Sequence, residues 1–501
     1  MTSSRRIIAR LTTTAALALV AGCTVGPDFV KPDAPADAGY SSPSDPMPKA
    51  TSSAAVAGGA SQHLLDGEDI PGAWWSLYHS APLDKLIELA LKNNPDLQSA
   101  QAALRQAREA ALAENGELYP TITGGLSASR QKSQIGSFTS IYSLYNTGPS
   151  LSYTIDIWGA IRRNIEELDA KAEYQRFEVE ASYLTLTSNL VTAAITEASI
   201  RGQIRATEEV IKVDSASLDL VRRQVAAGGA ARSDLLTQQS TLASVQATLP
   251  PLEKQLYQER NQIQIYAGRF PNQDEGDYFD LPSLTLPEEL PLSLPSKLVE
   301  QRPDVQAAEQ SLHAASAAIG VALANELPQL TLSANVGLEA GTLAKMFEAK
   351  SLVWGLGASA TGTIFDGGKL LHTKRAADAA FEQAAAQYRS TVIQAFGDVA
   401  NALRALQTDA DTLKATLAAD QAASDSLTLA QQQLQVGGIN YLNLLTAQQN
   451  YQQAHLNLVK AQAARYADTA ALFQALGGGW WNRNDVVAKD RDAAHETDAA
   501  L

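Results

Sequence analysis

The sequence is poor in the residues on which many functional classes depend. Its 501 residues include one cysteine, 6% aromatic residues and 19% charged residues. The single cysteine, Cys23, excludes an intrachain disulfide and a cluster of thiolate metal ligands. Basic charge is also in deficit, since the formal net charge is -15 at pH 7. A nucleic-acid-binding protein needs a basic surface to displace phosphate counterions, so that class is excluded.

Long apolar runs and catalytic patterns are missing as well. Outside 11–22, no stretch approaches the roughly 18 apolar residues of a membrane-spanning helix, which excludes a polytopic helical membrane protein. A membrane β-barrel fits the composition, because its strands are short and only half apolar. The six histidines do not pair at metal-ligand spacing, and Gly367-Gly368-Lys369 fails the phosphate-loop pattern. We therefore expect no enzyme, no metal site and no cofactor.

The N-terminus is predicted to be a lipoprotein signal peptide over 1–22. Three arginines precede a short apolar region, and Val20-Ala21-Gly22-Cys23 resembles a bacterial lipobox. Such signals are cleaved before the cysteine, which then carries a covalent lipid, and several acyl chains on one residue anchor firmly. The alternative is an ordinary signal with a chance cysteine. Residues 23–82 are predicted to be the acylated N-terminus and an extended tether.

The chain contains an internal duplication whose period is too long for a solenoid. Asn94-Pro95-Asp96 returns as Arg302-Pro303-Asp304, and Gly268 returns as Gly477, 208 and 209 positions later. Other pairs, 208 to 210 positions apart, are Tyr119-Pro120 with Leu327-Pro328, Ile155-Asp156 with Phe365-Asp366, Gly228-Gly229 with Gly437-Gly438, and Leu235-Leu236-Thr237 with Leu444-Leu445-Thr446. The first repeat is expected over 83–268 and the second over 291–477. A Pro-rich linker covers 269–294 and a C-terminal tail covers 478–501, of which the charged part after Trp481 is predicted to lack regular structure.

Each repeat is predicted to hold an initial helix, two strands and a long helical hairpin. The strands, at 121–131, 149–157, 329–339 and 353–365, alternate apolar residues with small hydroxyl residues and glycine. A soluble antiparallel hairpin would alternate in the same way. The small polar face favours a water-filled lumen, because a water-exposed sheet usually carries Lys, Glu and Arg. Four strands leave open edges in lipid, so several chains must contribute to one barrel.

The helical hairpins are predicted over 158–268 and 367–477. Apolar residues recur every seven positions, for example at Ile204, Ile211 and Leu218, which is typical of coiled-coil packing. Each hairpin turns at a glycine pair, where a positive φ is free of steric conflict. Pro250-Pro251 should kink the first returning helix.

Five segments in order carry a family resemblance that covers roughly residues 20 to 481. They are Gly22-Cys23-Thr24-Val25-Gly26-Pro27-Asp28-Phe29, Ala73-Trp74-Trp75, Leu298-Val299-Glu300-Gln301-Arg302-Pro303-Asp304-Val305, Ile364-Phe365-Asp366-Gly367-Gly368 and Leu476-Gly477-Gly478-Gly479-Trp480. Together they resemble the lipoprotein branch of the outer-membrane efflux factors, the TolC-like and OprM-like channels of the NodT type.

This resemblance implies a mixed α and β membrane protein. Four transmembrane strands from each chain of a homotrimer would form a 12-stranded barrel, continued by a long α-helical coiled-coil barrel. The chain would be a passive exit duct of a tripartite RND-type pump, anchored in the outer membrane and extending into the periplasm. Its partners would be a periplasmic adaptor (membrane fusion protein), an inner-membrane RND-type pump and outer-membrane lipid, and its cargo small toxic compounds or drugs.

The resemblance also implies a gate at the second glycine turn. Leu442 would contribute to an apolar ring, and Asn443 and Thr446 fall where relatives commonly place aspartates. Leu434 and Ile439 fall where some relatives carry a polar lock, so a closed tip held mainly by apolar contact is expected. The alternative for Leu442 is helix packing. Candidate adaptor contacts are the tip glycines, for which a purely conformational role is the alternative: Gly228, Gly229, Gly437 and Gly438.

Two rival functions stay open at the level of sequence. One is an outer-membrane channel for protein secretion, and the other is a periplasmic coiled-coil scaffold lipoprotein whose strands form a soluble sheet. The exported substrates, the partner pump and the ion selectivity are not specified by the sequence.

Overall fold

The fold is described here from a computed structural model that covers residues 24–35, 39–41, 44, 46, 48–274, 276 and 278–483. The predicted signal peptide 1–22, the lipidation residue Cys23 and the tail beyond 483 lie outside the described residues. The chain divides into two compact units, one with residues up to 32, 102–176 and 307–390, and the other with 33–101, 177–306 and 391 onward.

The helices and strands follow the order expected from the duplication. Those of the first half are β1 (His63–Asp66), α1 (Ala81–Asn93), α2 (Pro95–Asn115), β2 (Thr121–Ile135), β3 (Phe138–Ile155), α3 (Ala160–Ala226), α4 (Arg232–Gln246) and α5 (Leu249–Tyr266). Those of the second half are β4 (Glu289–Leu292), α6 (Pro295–Gln301), α7 (Pro303–Ala324), β5 (Gln329–Ala340), β6 (Leu352–Thr361), α8 (Lys369–Gln435) and α9 (Tyr441–Ala475).

The first unit is built on a four-stranded antiparallel sheet in the order β2-β3-β5-β6. One row of partners across it reads Ile122, Leu151, Ala334 and Leu356, and the next reads Thr123, Ser150, Asn335 and Gly355. Side chains alternate between the faces of a sheet, so one face is apolar and the other carries hydroxyls, amides and glycine. This agrees with the two faces read from the sequence.

The strand boundaries differ from the predicted ones by more than two residues at three places, the first being β2, which continues to Ile135 rather than ending at 131. Strand β3 begins at Phe138 rather than 149, because the whole of 138–148 pairs with β2 across a tight turn at Gly136. Strand β6 ends at Thr361 rather than 365, because Thr361 pairs with Gln329, the first residue of β5, and no partner strand lies beyond it. Segment 138–148 was missed because it lacks clean alternation of apolar and polar residues.

The duplicated motifs hold equivalent helix ends in the second unit. The side chain of Asn94 donates to the carbonyl of Tyr266, and Arg302 donates to the carbonyl of Ala475 at 3.0 Å in each case. Gly268 and Gly477 have positive φ and pack so closely that an added Cβ would lie 2.5 and 2.6 Å from the carbonyls of Asn93 and Gln301. The repeat therefore preserves the joint between the returning helix and the initial helix.

The first returning helix is interrupted where the proline pair predicts a kink, and the two residues in between keep helical backbone angles. Helix α4 ends at Gln246, and α5 begins at Leu249 with Pro250 and Pro251 in its first turn. Proline lacks the N–H that a helix interior needs but is tolerated in a first turn, so the chain restarts the helix at this point.

The segment expected to be an extended tether is partly folded. Strand β1 pairs in parallel with β4 of the linker. Gln62 is fully buried and donates to the carbonyl of Pro287 and the hydroxyl of Thr469, each at 2.9 Å. The fully buried guanidinium of Arg465 binds the carbonyl of Ala60 at 2.8 Å. These contacts fix residues 49–66, here called the strap, against the helices of the second unit.

Candidate functional site

The candidate site is formed by the two helix–helix turns of the second unit. Helix α3 ends with Gly228 N–H donating to the carbonyl of Val225 and Gly229 N–H donating to that of Gln224. Gly437 and Gly438 make the same pair of bonds at the end of α8. This is the Schellman arrangement, in which the first glycine takes a left-handed conformation, here with φ of 75° and 74°. Gly228 and Gly437 therefore have a conformational role.

The second glycine of each turn has no such requirement. Gly229 and Gly438 are outside the set of glycines with positive φ. An added Cβ would lie 3.6 Å from the carbonyl of Gln224 and 3.4 Å from that of Gln433, which are near-ordinary contact distances. The turn itself does not explain why these positions lack side chains.

The three gate candidates share one exposed face at the start of α9. Leu442 is 64% exposed, and Asn443 and Thr446 are also exposed. The side chain of Asn440 caps the helix by accepting from the N–H of Asn443, and the hydroxyl of Thr446 donates to the carbonyl of Leu442. Within the chain, the packing position of this turn is the fully buried Leu444. Leu442 is thus mostly exposed within its own chain, and Leu444 is the residue that packs between the helices at this turn.

The opposite face of α9 packs on an apolar cluster of helices α8 and α9. Leu427, Ala430, Leu434, Leu444 and Ala447 form its buried part, and Val213, Leu220, Ile439, Tyr441 and Tyr451 pack against it. Leu434 and Ile439, the positions of the polar lock in some relatives, are therefore apolar contacts here. Whether apolar contact holds the closed tip stays a prediction.

Polar links between helices also contribute at the tip, which the sequence did not reveal. The hydroxyl of Tyr441 on α9 donates to Oε1 of the fully buried Gln238 on α4. The amide nitrogen of Gln238 donates to the backbone carbonyl of Asp214 at 3.2 Å. A second link runs from Gln448 to the hydroxyl of Ser217 at 3.0 Å. The two helical hairpins are thus joined by neutral hydrogen bonds as well as by apolar contact.

A buried carboxyl lies beside this link. The side chain of Asp214 is almost fully buried, and its Oδ1 has no hydrogen-bond partner among the described residues. Burial disfavours the charged form and raises the pKa of Asp214 to about 6. The pKa of Tyr441 is also raised, by burial and then by the charges of Asp214 and Asp234, so the phenol remains a hydrogen-bond donor at neutral pH.

The described residues contain neither a membrane-spanning helix nor a cluster of metal ligands. None of the helices in these ranges is long and apolar enough to cross a membrane. Within the same ranges, no group of three or more His, Cys, Asp or Glu side chains is arranged to hold a metal ion.

Comparison with known proteins gives consistent matches over most of the chain. The family model described as outer membrane efflux protein matches residues 86–269 and 294–478. The pyoverdine export outer membrane protein OpmQ of Pseudomonas putida is 30% identical over 450 residues, covering 87% of this chain and 94% of the relative. The toluene efflux pump outer membrane protein TtgC of Pseudomonas putida is 28% identical over 474 residues, covering 93% and 94%. The solved outer-membrane channel OprN matches with a TM-score of 0.82 and 27% identity, covering 91% of this chain and all of that structure.

Proposed function

Because the chain belongs to the outer membrane efflux protein family, we propose that it is the passive exit duct of a tripartite efflux pump. The protein is an outer-membrane efflux component, as its relatives and structural neighbours are. The family forms trimeric channels in tripartite pumps. Its members are ducts rather than enzymes, and we propose no catalytic activity and no cofactor apart from a covalent lipid on Cys23.

The sheet is the observation that supports a pooled barrel. Its edge strands β2 and β6 have partners on one side only within the chain. Unpaired backbone groups are costly in lipid, and one chain with four strands leaves two such edges. Three chains with paired edges give a closed barrel of 12 strands, with the apolar face toward lipid and the hydroxyl face toward water.

The partners and cargo follow from the duct role. A duct with no energy source requires an inner-membrane pump, and we propose an RND-type pump joined through a periplasmic adaptor. Relatives are named for the export of pyoverdine and the efflux of toluene. We propose that this chain passes small compounds of the kind that its pump selects.

Deletion of the gene tests this function. We expect increased susceptibility to small toxic compounds, with no further increase when the gene for the partner RND-type pump is also deleted, since both act in one pathway. Restoration by the chain expressed from a plasmid is the control. Unchanged susceptibility together with loss of a secreted protein would instead favour the secretion channel.

We further propose that Leu442, Asn443 and Thr446 line the periplasmic constriction. Their shared exposure within one chain leaves them available to meet their counterparts around the trimer axis, and a hydrophobic neck can exclude ions by dewetting. Leu442→Ala should increase single-channel conductance in planar bilayers. The matched control is Leu236→Ala, a leucine 56% exposed near the other turn, which should leave conductance unchanged. Equal conductance of Leu442→Ala and the unsubstituted channel would refute the assignment.

Finally, we propose that the tip glycines contact the adaptor, with Gly229 and Gly438 as the positions kept small for this purpose. Leucine at either position is compatible with the turn, because neither requires a positive φ. These variants should form normal trimers yet lose crosslinking to the adaptor, whereas alanine at the same positions should retain most of it. If the leucine variants crosslink to the adaptor as fully as the unsubstituted protein does, adaptor contact at the tip glycines is refuted. The conformational role of Gly228 and Gly437 would then be the one role that the tip glycines keep.

A further inference from the structure

One hairpin carries a net positive charge in an otherwise acidic chain. Residues 121–155, which contain β2 and β3, include two cations, Arg130 and Lys132, and no acidic residue. The whole chain has a formal net charge of -15. This local excess of positive charge is not used by the duct or the gate.

Both cations lie on the apolar face of the sheet. Even-numbered positions of β2 share one face, so Arg130 and Lys132 lie on the same side as Ile122 and Leu126. Their partners across the ladder are Ser143 and Ile141, which are uncharged. In the row before them, Ala128 pairs with Tyr145, which places an aromatic residue next to the cations.

No carboxylate of the same sheet compensates them. Glu339 is the one acidic residue within β2, β3, β5 and β6, and it pairs with Asn146, which pairs in turn with Ser127. Ser127 is an odd-numbered position of β2, so the row that contains Glu339 lies on the face opposite to Arg130 and Lys132. Arg130 and Lys132 are exposed and form no ion pair within the described residues of the chain.

Their depth follows from the length of the strand. From Thr121 to Arg130, β2 contains the roughly 9 to 11 residues with which a tilted strand crosses the hydrocarbon core. A charge facing lipid is strongly unfavourable at the midplane but is tolerated at the interface. Arg130 and Lys132 therefore reach the headgroup region at the end of β2 remote from its junction with the preceding helix, and Tyr145 is placed as an interfacial aromatic residue.

We propose that Arg130 and Lys132 bind the phosphate groups of lipids in the distal leaflet of the outer membrane. The proposal rests on the pooled barrel of the proposed function. The fork of an arginine matches phosphate oxygens in geometry, and a lysine adds a point charge. The two side chains are about 7 Å apart along the strand, close enough to engage one phosphorylated headgroup. The acyl chains of that lipid would lie along the apolar rows of the same face.

Lipid binding by purified trimers in nanodiscs tests this site. The probes are bisphosphorylated lipid A and the same lipid without its phosphates. The variant R130Q/K132Q should bind the phosphorylated probe about 30-fold more weakly, since each cation near an anionic surface contributes about fivefold. The matched control is K345Q/K350Q, which removes the same charge from the β5–β6 connection, where Lys350 is already paired with Glu348 at 2.6 Å. It should bind as the unsubstituted protein does.

The outcomes separate this site from the alternatives. Equal binding by R130Q/K132Q and the unsubstituted trimer would overturn the proposal. So would equal binding of the two probes by the unsubstituted trimer, because the acyl chains alone would then account for it. If R130Q/K132Q fails to form heat-resistant trimers, the proposal is tested by the two probes on the unsubstituted trimer and on R130K/K132R. The R130K/K132R variant keeps both charges, so it should keep the preference for the phosphorylated probe. Resistance to toxic compounds, measured separately, reports whether the duct function holds.

Discussion

Removal of one hydroxyl at the tip should loosen the link between the two helical hairpins. The phenol of Tyr441 donates to Oε1 of Gln238, a side chain with no exposed surface. The amide nitrogen of Gln238 must face the carbonyl of Asp214, because a carbonyl only accepts, and the phenol of Tyr441 is the one donor to Oε1 among the described residues. Tyr441→Phe therefore leaves a buried acceptor without a partner.

The expected magnitude follows from that orphaned acceptor. An unsatisfied buried group costs about 1–3 kcal/mol, which corresponds to a factor of about 5 to 150 for each chain. If opening separates the hairpins, the closed state alone loses this energy, and Tyr441→Phe channels should open more often in planar bilayers. The trimer should also dissociate at a lower temperature. The matched control is Tyr257→Phe, since Tyr257 is 71% exposed and its hydroxyl can be hydrated.

A double-mutant cycle distinguishes a direct link from a general loss of packing. In Gln238→Leu with Tyr441→Phe, both ends of the bond are apolar, so the pair should be less destabilised than the sum of the single variants. The loss of the Gln238 donor adds little, because the carbonyl of Asp214 lies within a continuous helix. Additive effects, or a Tyr441→Phe channel that matches the unsubstituted one in opening and dissociation, would refute the reasoning.

Two further predictions concern buried charge. The raised pKa of Asp214, about 6, means that the folded state holds the proton more tightly than the unfolded state, so stability falls as pH rises from about 4 to 6 and stays lower above. Asp214→Asn should thus stabilise the trimer by about 1–3 kcal/mol per chain at pH 7.5 but hardly at pH 4, and equal shifts of the dissociation midpoint at both values would contradict this. Arg465→Met removes donors to the carbonyls of Leu406 and Ala60 and should destabilise the chain by about 2–4 kcal/mol. Proteolysis within the strap should become faster, whereas Arg176→Met, which leaves Arg465 in place, should keep the strap protected.

Local sequence patterns were sufficient to predict the parts of the fold that are duplicated or that alternate apolar and polar residues. The period of two in 121–131 and 329–339 identified both faces of the sheet, because alternation is a local property of a strand. The duplicated Gly-Gly pairs located both helix turns, because a left-handed residue favours glycine wherever the chain lies. Cys23 could be identified by its motif alone, and its lipidation remains a prediction.

Contacts between segments that are distant in the sequence could not be predicted from local patterns. Nothing local to His63–Asp66 indicates that it pairs with Glu289–Leu292, because each is only four residues long. The bond between Tyr441 and Gln238 joins positions 203 residues apart. Tyr441 directly precedes the gate candidate Leu442 in the sequence, but its hydrogen-bond partner depends on how the hairpins pack.

The side chains at the tip also determine whether salt or pH should change the open fraction of the channel. Leu442, Asn443 and Thr446 are uncharged, and the two links nearest to them, from Tyr441 and from Gln448, are neutral, whereas the pair of His455 with Glu209 at 3.7 Å lies further along α9. Salt screens charges and leaves neutral hydrogen bonds and apolar contacts nearly unaffected. The open fraction of the channel should therefore change little between low and high salt once the conductivity of the solution is taken into account. The open fraction should instead depend on pH near 6, because burial raises the pKa of Asp214, beside the Tyr441–Gln238 link, to about 6.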